Sequence, residues 1–187
     1  MRRAVEEHGR ASEFHSLFED ESRFRAWYDA ALPTVYGYLF HRCGGVRQVA
    51  EELTQEAFVE AVRNRDRFDG RSDPVTWVCG IAKHRLVDHY RRQHRDERRR
   101  LRLVQGGEGA DRAGAPTGSE ERDLVLRTLR ELPPLQRAAL VLHYLDDLPV
   151  AEIAVALNRS EAAVESLLAR GREGFRHAMP AAEGSES

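Results

Sequence analysis

The residues of this chain best suited to chemistry are cations crowded into one stretch. Between Lys83 and Arg102 stand Lys83, Arg85, Arg91, Arg92, Arg95, Arg98, Arg99, Arg100 and Arg102, against only Asp88, Asp96 and Glu97. The local excess is six positive charges, although the whole 187-residue chain carries a formal charge of −2. A guanidinium presents a planar fork of N–H donors that matches a phosphate, so such a run suits a polyanionic backbone. The distribution of charge decides this, not its sum. A second polar set lies further on, at Arg159, Ser160, Ala163, Ser166, Arg170 and Arg172. It sits in a pattern that reads as helix, turn and helix: Ile153, Ala154 and Leu157 share one apolar face, and Val164, Leu168, Gly171 and Phe175 share another. Ser160 stands where an N-cap belongs. In such a unit the second helix enters the major groove of DNA and reads base edges near its N-terminal end.

No catalytic set competes with this reading. There is no Gly-rich phosphate loop, no nucleophile elbow and no isolated pair of carboxylates in an apolar setting. His84, His89 and His94 are spaced five apart, which scatters them around a helix, so neither a metal nor any other cofactor is expected. Cys43 and Cys79 form no CxxC pattern and are expected as reduced, buried thiols. No signal peptide or membrane-spanning run stands out, which places the expected site of action in the cytoplasm, with no insertion into a membrane.

The elements that must position these residues are all helical in pattern. Residues 1–20 form a polar extension, expected to be frayed or loosely helical. Residues 21–104 read as one helical domain. Within it, Phe24, Tyr28, Ala31 and Leu32 repeat at helical spacing up to Pro33, where a kink or break is expected. Val35, Tyr36, Leu39 and Phe40 then continue to Gly44-Gly45. Val49, Leu53, Ala57 and Ala61 mark a helix over 47–63. Asp73-Pro74 then caps another that carries Val75, Val78, Ile81, Ala82 and Leu86. Residues 105–119 are nearly devoid of apolar side chains and read as a flexible linker, able to span up to about 50 Å at 3.3–3.6 Å per residue. Residues 120–178 form a second helical domain, broken at Pro133-Pro134, and residues 179–187 a disordered tail. The fold class is therefore all-α, two small helical domains on a tether.

Four pieces in order resemble the sigma factors of the extracytoplasmic-function type, the minimal class with only regions two and four. The run Ala50-Glu51-Glu52-Leu53-Thr54-Gln55-Glu56-Ala57-Phe58 is similar to that family's acidic helix. Arg67-Phe68-Asp69, Trp77, Ile81-Ala82-Lys83-His84 and Asp88-His89-Tyr90-Arg91-Arg92 resemble its promoter-melting segment. Leu132-Pro133 with Gln136-Arg137-Ala138-Ala139-Leu140 resembles the opening of region four, and residues 152–172 its helix-turn-helix. Together they cover about residues 22–178.

The resemblance implies a non-enzymatic subunit that lends core RNA polymerase its promoter specificity and helps open the −10 region. It implies that Glu52, Leu53, Gln55 and Glu56 dock on the clamp helices of the polymerase β′ subunit, with region four meeting the β flap. It assigns Asp69, Gly70, Arg71, Ser72, Lys83, His84, Arg85, Asp88, Arg91 and Arg92 to the −10 element and its melting. Among these, Arg85, Arg91 and Arg92, with Arg95, suit phosphates. His84 stands where the family more often has Asn. The −35 element falls to Arg159, Ser160, Ala163, Ser166, Arg170 and Arg172. An anti-sigma factor is a further implied partner.

Trp77 is expected in the core. Tyr90 offers a ring for an unpaired base, though this is the weaker reading. Glu165 and Leu167 depart from the family's frequent Lys and Arg, and Leu167 is expected to be exposed unless it packs on the preceding helix or a partner. An ordinary helix-turn-helix repressor is the nearest rival, but it would need neither the acidic helix nor the arginine run.

Overall fold

The computed structural model describes residues 2–103 and 119–179. All of the expected linker but Ser119, and all of the tail but Met179, lie outside them. The described residues form α-helices and short 3-10 turns, with no strand among them. The helices are α1 (Arg2–Ser16), α2 (Glu21–Arg42), α3 (Arg47–Arg63), α4 (Pro74–Leu103), α5 (Glu120–Glu131), α6 (Pro134–Tyr144), α7 (Val150–Leu157) and α8 (Glu161–Ala178).

Two compact units emerge. The first holds residues 2–41 and 47–86; the second holds 42–46, the rest of α4 and residues 119–179. Helix α4 contributes to both.

In the first unit, local chemistry sets the helix starts. Asp20 Oδ1 accepts from the Ser22 hydroxyl at 2.6 Å and from the Ser22 N–H at 2.8 Å, opening α2. The Ser22 hydroxyl and the N–H groups of Arg23 and Ser22 hold its carboxyl below the usual carboxylate range. Asp73 opens α4, its Oδ1 accepting from the Val75 N–H at 2.8 Å. Pro74 then takes the first helical position, where an N–H would have no partner in any case.

The core is built from Val35, Leu39, Ala50, Leu53, Ala57, Val78, Ala82 and Leu86, each 2% exposed or less. Their three- and four-residue spacings are the apolar stripes visible in the sequence. The buried Thr54 satisfies its hydroxyl on the Ala50 carbonyl at 2.6 Å.

Two expectations are corrected here. Of the kink or break expected at Pro33, the break does not occur: α2 runs unbroken through it. Pro33 and Asp29 are both exposed, so water can satisfy the Asp29 carbonyl that proline leaves without a donor. Residues 1–20 are not a loose lead-in either. Helix α1 spans fifteen residues and seats Phe14, 1% exposed, against Phe68 at 4.7 Å, Trp27 and Phe18 at 5.3 Å and Trp77 at 5.7 Å between ring centroids. That aromatic anchor, with Arg10 Nε donating to the Gly70 carbonyl at 2.8 Å, seats a helix whose other positions are mostly polar.

In the second unit, α6 is the central element, with Leu135, Ala138, Ala139, Val141 and Leu142 all buried. Around it lie Leu126 and Leu129 of α5, Ile153 and Leu157 of α7, and Val164 and Leu168 of α8. Helix α7 ends at Asn158, whose φ of 53° is left-handed and whose N–H reaches the Ala154 and Val155 carbonyls. The turn from α2 to α3 uses Gly44 and Gly45, at φ 68° and 74°, values that glycine adopts without steric cost. Tyr90 is 2% exposed and donates its hydroxyl to the Arg42 carbonyl. The guanidinium of buried Arg137 lies 5.7 Å over its ring and donates to the Arg130 and Leu132 carbonyls at 3.0 and 3.2 Å.

Two predictions follow from this packing. Proline in a helix interior costs about 3 kcal/mol, of which about 1 is returned through a stiffer unfolded chain, so Pro33→Ala should raise unfolding stability by about 2 kcal/mol in urea titrations. Burial pushes the Cys43 thiol from 9.0 up to about 12, with Arg137 opposing, and burial likewise pushes the Tyr90 phenol upward. Both groups stay neutral when folded but ionise in the unfolded chain. The stability they contribute is complete below pH 9.0 and drains away as pH rises towards about 12. The urea midpoint should therefore fall between about pH 8 and about pH 11, and Cys43→Ala should flatten part of that decline.

Candidate nucleic-acid interface

The acidic face of α3 is presented as its spacing requires. Glu52, Gln55 and Glu56 are exposed, and Gln48 Nε2 donates to Glu52 Oε1 at 3.0 Å. Leu53 lies beneath them at 2% exposure, so it holds the helix down and does not itself offer a docking surface. Beside Gln55 an apolar groove of about 360 Å³ is lined by Phe24, Tyr28, Phe58, Val59, Val62 and Arg63. Val59, 42% exposed, belongs to this face. A lone exposed valine leaves no mark in a sequence pattern, so the groove was invisible there.

The loop before α4 is pinned at Phe68 and Gly70, both buried, while Asp69 and Arg71 face solvent and Ser72 is half-buried. Asp69 Oδ1 accepts from the Arg71 N–H at 3.0 Å, and its other oxygen lies 3.3 Å from Arg71 Nε. Trp77 is half-buried and packs on Phe14 and Phe68, as a core residue would.

Along α4 some charged side chains stand exposed and others are engaged within the protein. His84, Asp88, Arg92, Arg95 and Arg99 are exposed and follow one another at three- and four-residue steps, making a single stripe. Lys83 is half-buried. Arg85 is paired with Glu60, its Nε donating to a carboxylate oxygen at 2.6 Å. Arg91 is also held, donating to Asp88 Oδ1 and to the Val155 carbonyl, each at 3.3 Å. Tyr90 is buried and hydrogen-bonded, which removes it as a stacking surface for an unpaired base. Desolvation, then Arg159 and Arg98, hold the His94 imidazole below its ordinary pKa.

On α8, Ser160 caps the helix by accepting from the Ala163 N–H at 3.2 Å. Arg159, Ser160, Ser166, Arg170 and Arg172 are exposed, and Ala163 is half-buried on the same side. Arg170 Nε donates to the Ser166 carbonyl at 3.3 Å. Arg172 reaches the Tyr144 hydroxyl at 3.5 Å. Leu167 is only 9% exposed. Of the alternatives for Leu167, exposure is the one that fails: the side chain is buried, as is that of Leu168.

Sequence reasoning also missed Tyr144, Leu145 and Val155, at 54%, 45% and 80% exposure. It missed, too, the nearly buried ion pair of Arg42 with Asp146 at 2.7 Å, whose residues are a hundred positions apart in the chain. Among the described residues no three His, Cys, Asp or Glu side chains gather as a metal site would need. No described helix is long and apolar enough to cross a membrane.

Comparison with known proteins adds a family context. The Sigma-70 region 2 family matches residues 27–96, and Sigma-70, region 4 matches residues 122–173. The ECF RNA polymerase sigma factor BldN of Streptomyces coelicolor is 32% identical over 167 residues, covering 84% of this chain and 60% of BldN. The ECF RNA polymerase sigma factor SigW of Bacillus subtilis is 30% identical over 168 residues, covering 84% of this chain and 89% of SigW. The fold resembles that of the sigma factor RpoE of Bartonella quintana, solved in complex with the anti-sigma factor NepR. That match has a TM-score of 0.55 and 19% identity, over 86% of this chain and 98% of that one.

The burial of Leu167 gives a test. Leu167→Arg, which restores the family's frequent residue, should cost about 2 kcal/mol of unfolding stability, because a charge replaces buried apolar surface. Glu165→Lys, at an exposed neighbour, should stay within about 0.5 kcal/mol in the same urea titration.

Proposed function

Since this chain belongs to the sigma-70 family of RNA polymerase initiation factors, in its extracytoplasmic-function branch, we propose a division of labour among its surfaces. Residues 21–104 act as the region-two module and 120–178 as the region-four module, joined through residues 105–119. The exposed Glu52, Gln55 and Glu56, with the groove at Val59, dock on the polymerase clamp helices. Polar side chains around a small apolar patch suit a partner that must be released again.

The loop Asp69-Gly70-Arg71-Ser72 receives an unstacked base of the −10 element, with His84 and Asp88 beside it along α4. Extruding a base costs a few kcal/mol, recovered through hydrogen bonds and stacking in the receiving site. Melting is driven by capture, so the chain needs no catalytic group of its own and works in the cytoplasm beside polymerase and DNA. Arg92 and Arg95 grip phosphates. At the −35 element, Ser160, Ala163 and Ser166 approach base edges near the start of α8, while Arg159, Arg170 and Arg172 hold the backbone. The exposed Tyr144, Leu145 and Val155 suit a protein partner, the β flap or an anti-sigma factor.

A single observation carries this reading. The exposed stripe from His84 to Arg99 is carried by α4, the helix that the Asp69–Asp73 loop leads into, in a chain that also holds a Ser-capped second helix. A repressor built on the helix-turn-helix alone has no use for the first two.

The test is run-off transcription with purified core polymerase on genomic fragments. Promoter-specific transcripts should appear only when this protein is added; their absence from every fragment would sink the proposal. Arg92→Ala should weaken promoter binding and reduce the slope of log K against log salt by about one, the mark of one lost phosphate contact. Arg91→Ala, whose guanidinium is engaged within the protein, should leave that slope nearly unchanged and lower stability instead.

A further inference from the structure

The feature that the proposed division leaves unused is α1. Its backbone runs directly over the loop assigned to the −10 element. Gly70 has a φ of 74°, and a Cβ placed there would lie 1.9 Å from the Glu7 carbonyl oxygen and 3.0 Å from the Ala11 nitrogen. Both are backbone atoms and cannot rotate away, so no residue but glycine fits while α1 is in place. Arg10 Nε donates to the Gly70 carbonyl at 2.8 Å, a part-buried bond across sixty residues. One turn further on, Phe14 packs edge-on against Phe68, two residues before Gly70, and against Trp77 of α4. His15 Nε2 meets the Arg65 carbonyl at 3.0 Å. Helix α1 therefore touches the loop at its apex, at its buried anchor and at the segment leading into it.

We propose that α1 is a positioning part of the −10 reader, with Arg10 as its central residue: by holding the Gly70 carbonyl and closing the space above it, α1 fixes the loop in the shape that turns Asp69 and Arg71 outward. The proposal rests on the reading of residues 69–72 as the base-receiving loop. Arg10 touches no nucleotide; it acts through Gly70. A lid would have to leave, and α1 is not built to do so. Its departure would expose Phe14 and strip ring contacts from both Phe68 and Trp77. Selecting one base over another depends on donors and acceptors held to a fraction of an ångström. A loop freed at its apex would still meet single-stranded DNA but would discriminate less between bases.

The experiment uses full-length protein in holoenzyme with core polymerase. Its probes are fluorescent non-template-strand oligonucleotides carrying the −10 element mapped by run-off transcription, intact or with one base replaced. Arg10→Ala should reduce the preference for the intact element about fivefold, the equilibrium effect of one ordinary hydrogen bond. Arg10→Lys, which can still donate to the carbonyl, should retain most of the preference. Binding of a −35 duplex and assembly with core should be the same for all three proteins.

Unchanged preference in Arg10→Ala, while a joint Asp69→Ala and Ser72→Ala variant does alter it, would overturn the role of α1 and leave the loop assignment standing. Loss of preference together with −35 binding would also overturn it, as damage to the fold at large. If the Asp69 and Ser72 variant leaves base preference untouched, the loop assignment itself fails and the role of α1 falls with it.

Discussion

The continuous burial of one side of α4 is the constraint on which the remainder depends. Val78, Ala82, Leu86 and Tyr90 succeed one another every four residues, and none is more than 2% exposed. A helix buried along that line has no freedom to rotate about its axis. What stands opposite is then fixed, and it is His84, Asp88, Arg92, Arg95 and Arg99. The stripe owes its direction to the apolar residues and its chemistry to the polar ones. The helix extends from the Asp73 cap to Leu103 without a break, so the loop precedes the same helix that carries the cations.

Burial also sorts the arginines. A guanidinium is always charged, so one that leaves solvent must find acceptors. Arg137 finds two carbonyls and the Tyr90 ring; Arg42 finds Asp146 and the Leu145 carbonyl; Arg85 finds Glu60. Those residues are structural cations, and their charge is largely spent within the protein. Arg92, Arg95, Arg159, Arg170 and Arg172 stay exposed, with their charge on the surface. A chain with a net charge of −2 can thus bind a polyanion, because its uncommitted positive charge is gathered on a few helix faces.

The elements were legible because helical periodicity is a local property. The stripes of α3, α4, α6 and α8, the Asp73 and Ser160 caps and the Pro133-Pro134 break all lie within a few residues of what they govern. Pro33 misled because a proline's cost is local too, while the packing of Ala31, Val35 and Leu39 on either side keeps the helix continuous. Helix α1 misled for the opposite reason. Its polarity is honest, but Phe14 within it meets rings that lie 54 and 63 residues away.

By itself, then, the sequence determined the all-helical class, the family, the order of the elements and which stretches could carry polymerase, base and phosphate contacts. Each of these follows from spacing or residue type over short distances. Only the tertiary structure decided which members of those stretches remain available. It turned Leu53, Tyr90 and Leu167 inward, tied Arg85 and Arg91 to partners, and laid α1 across Gly70. The physical reason is that exposure and pairing are settled by whatever arrives from elsewhere in the chain, and those arrivals leave no trace in the local pattern.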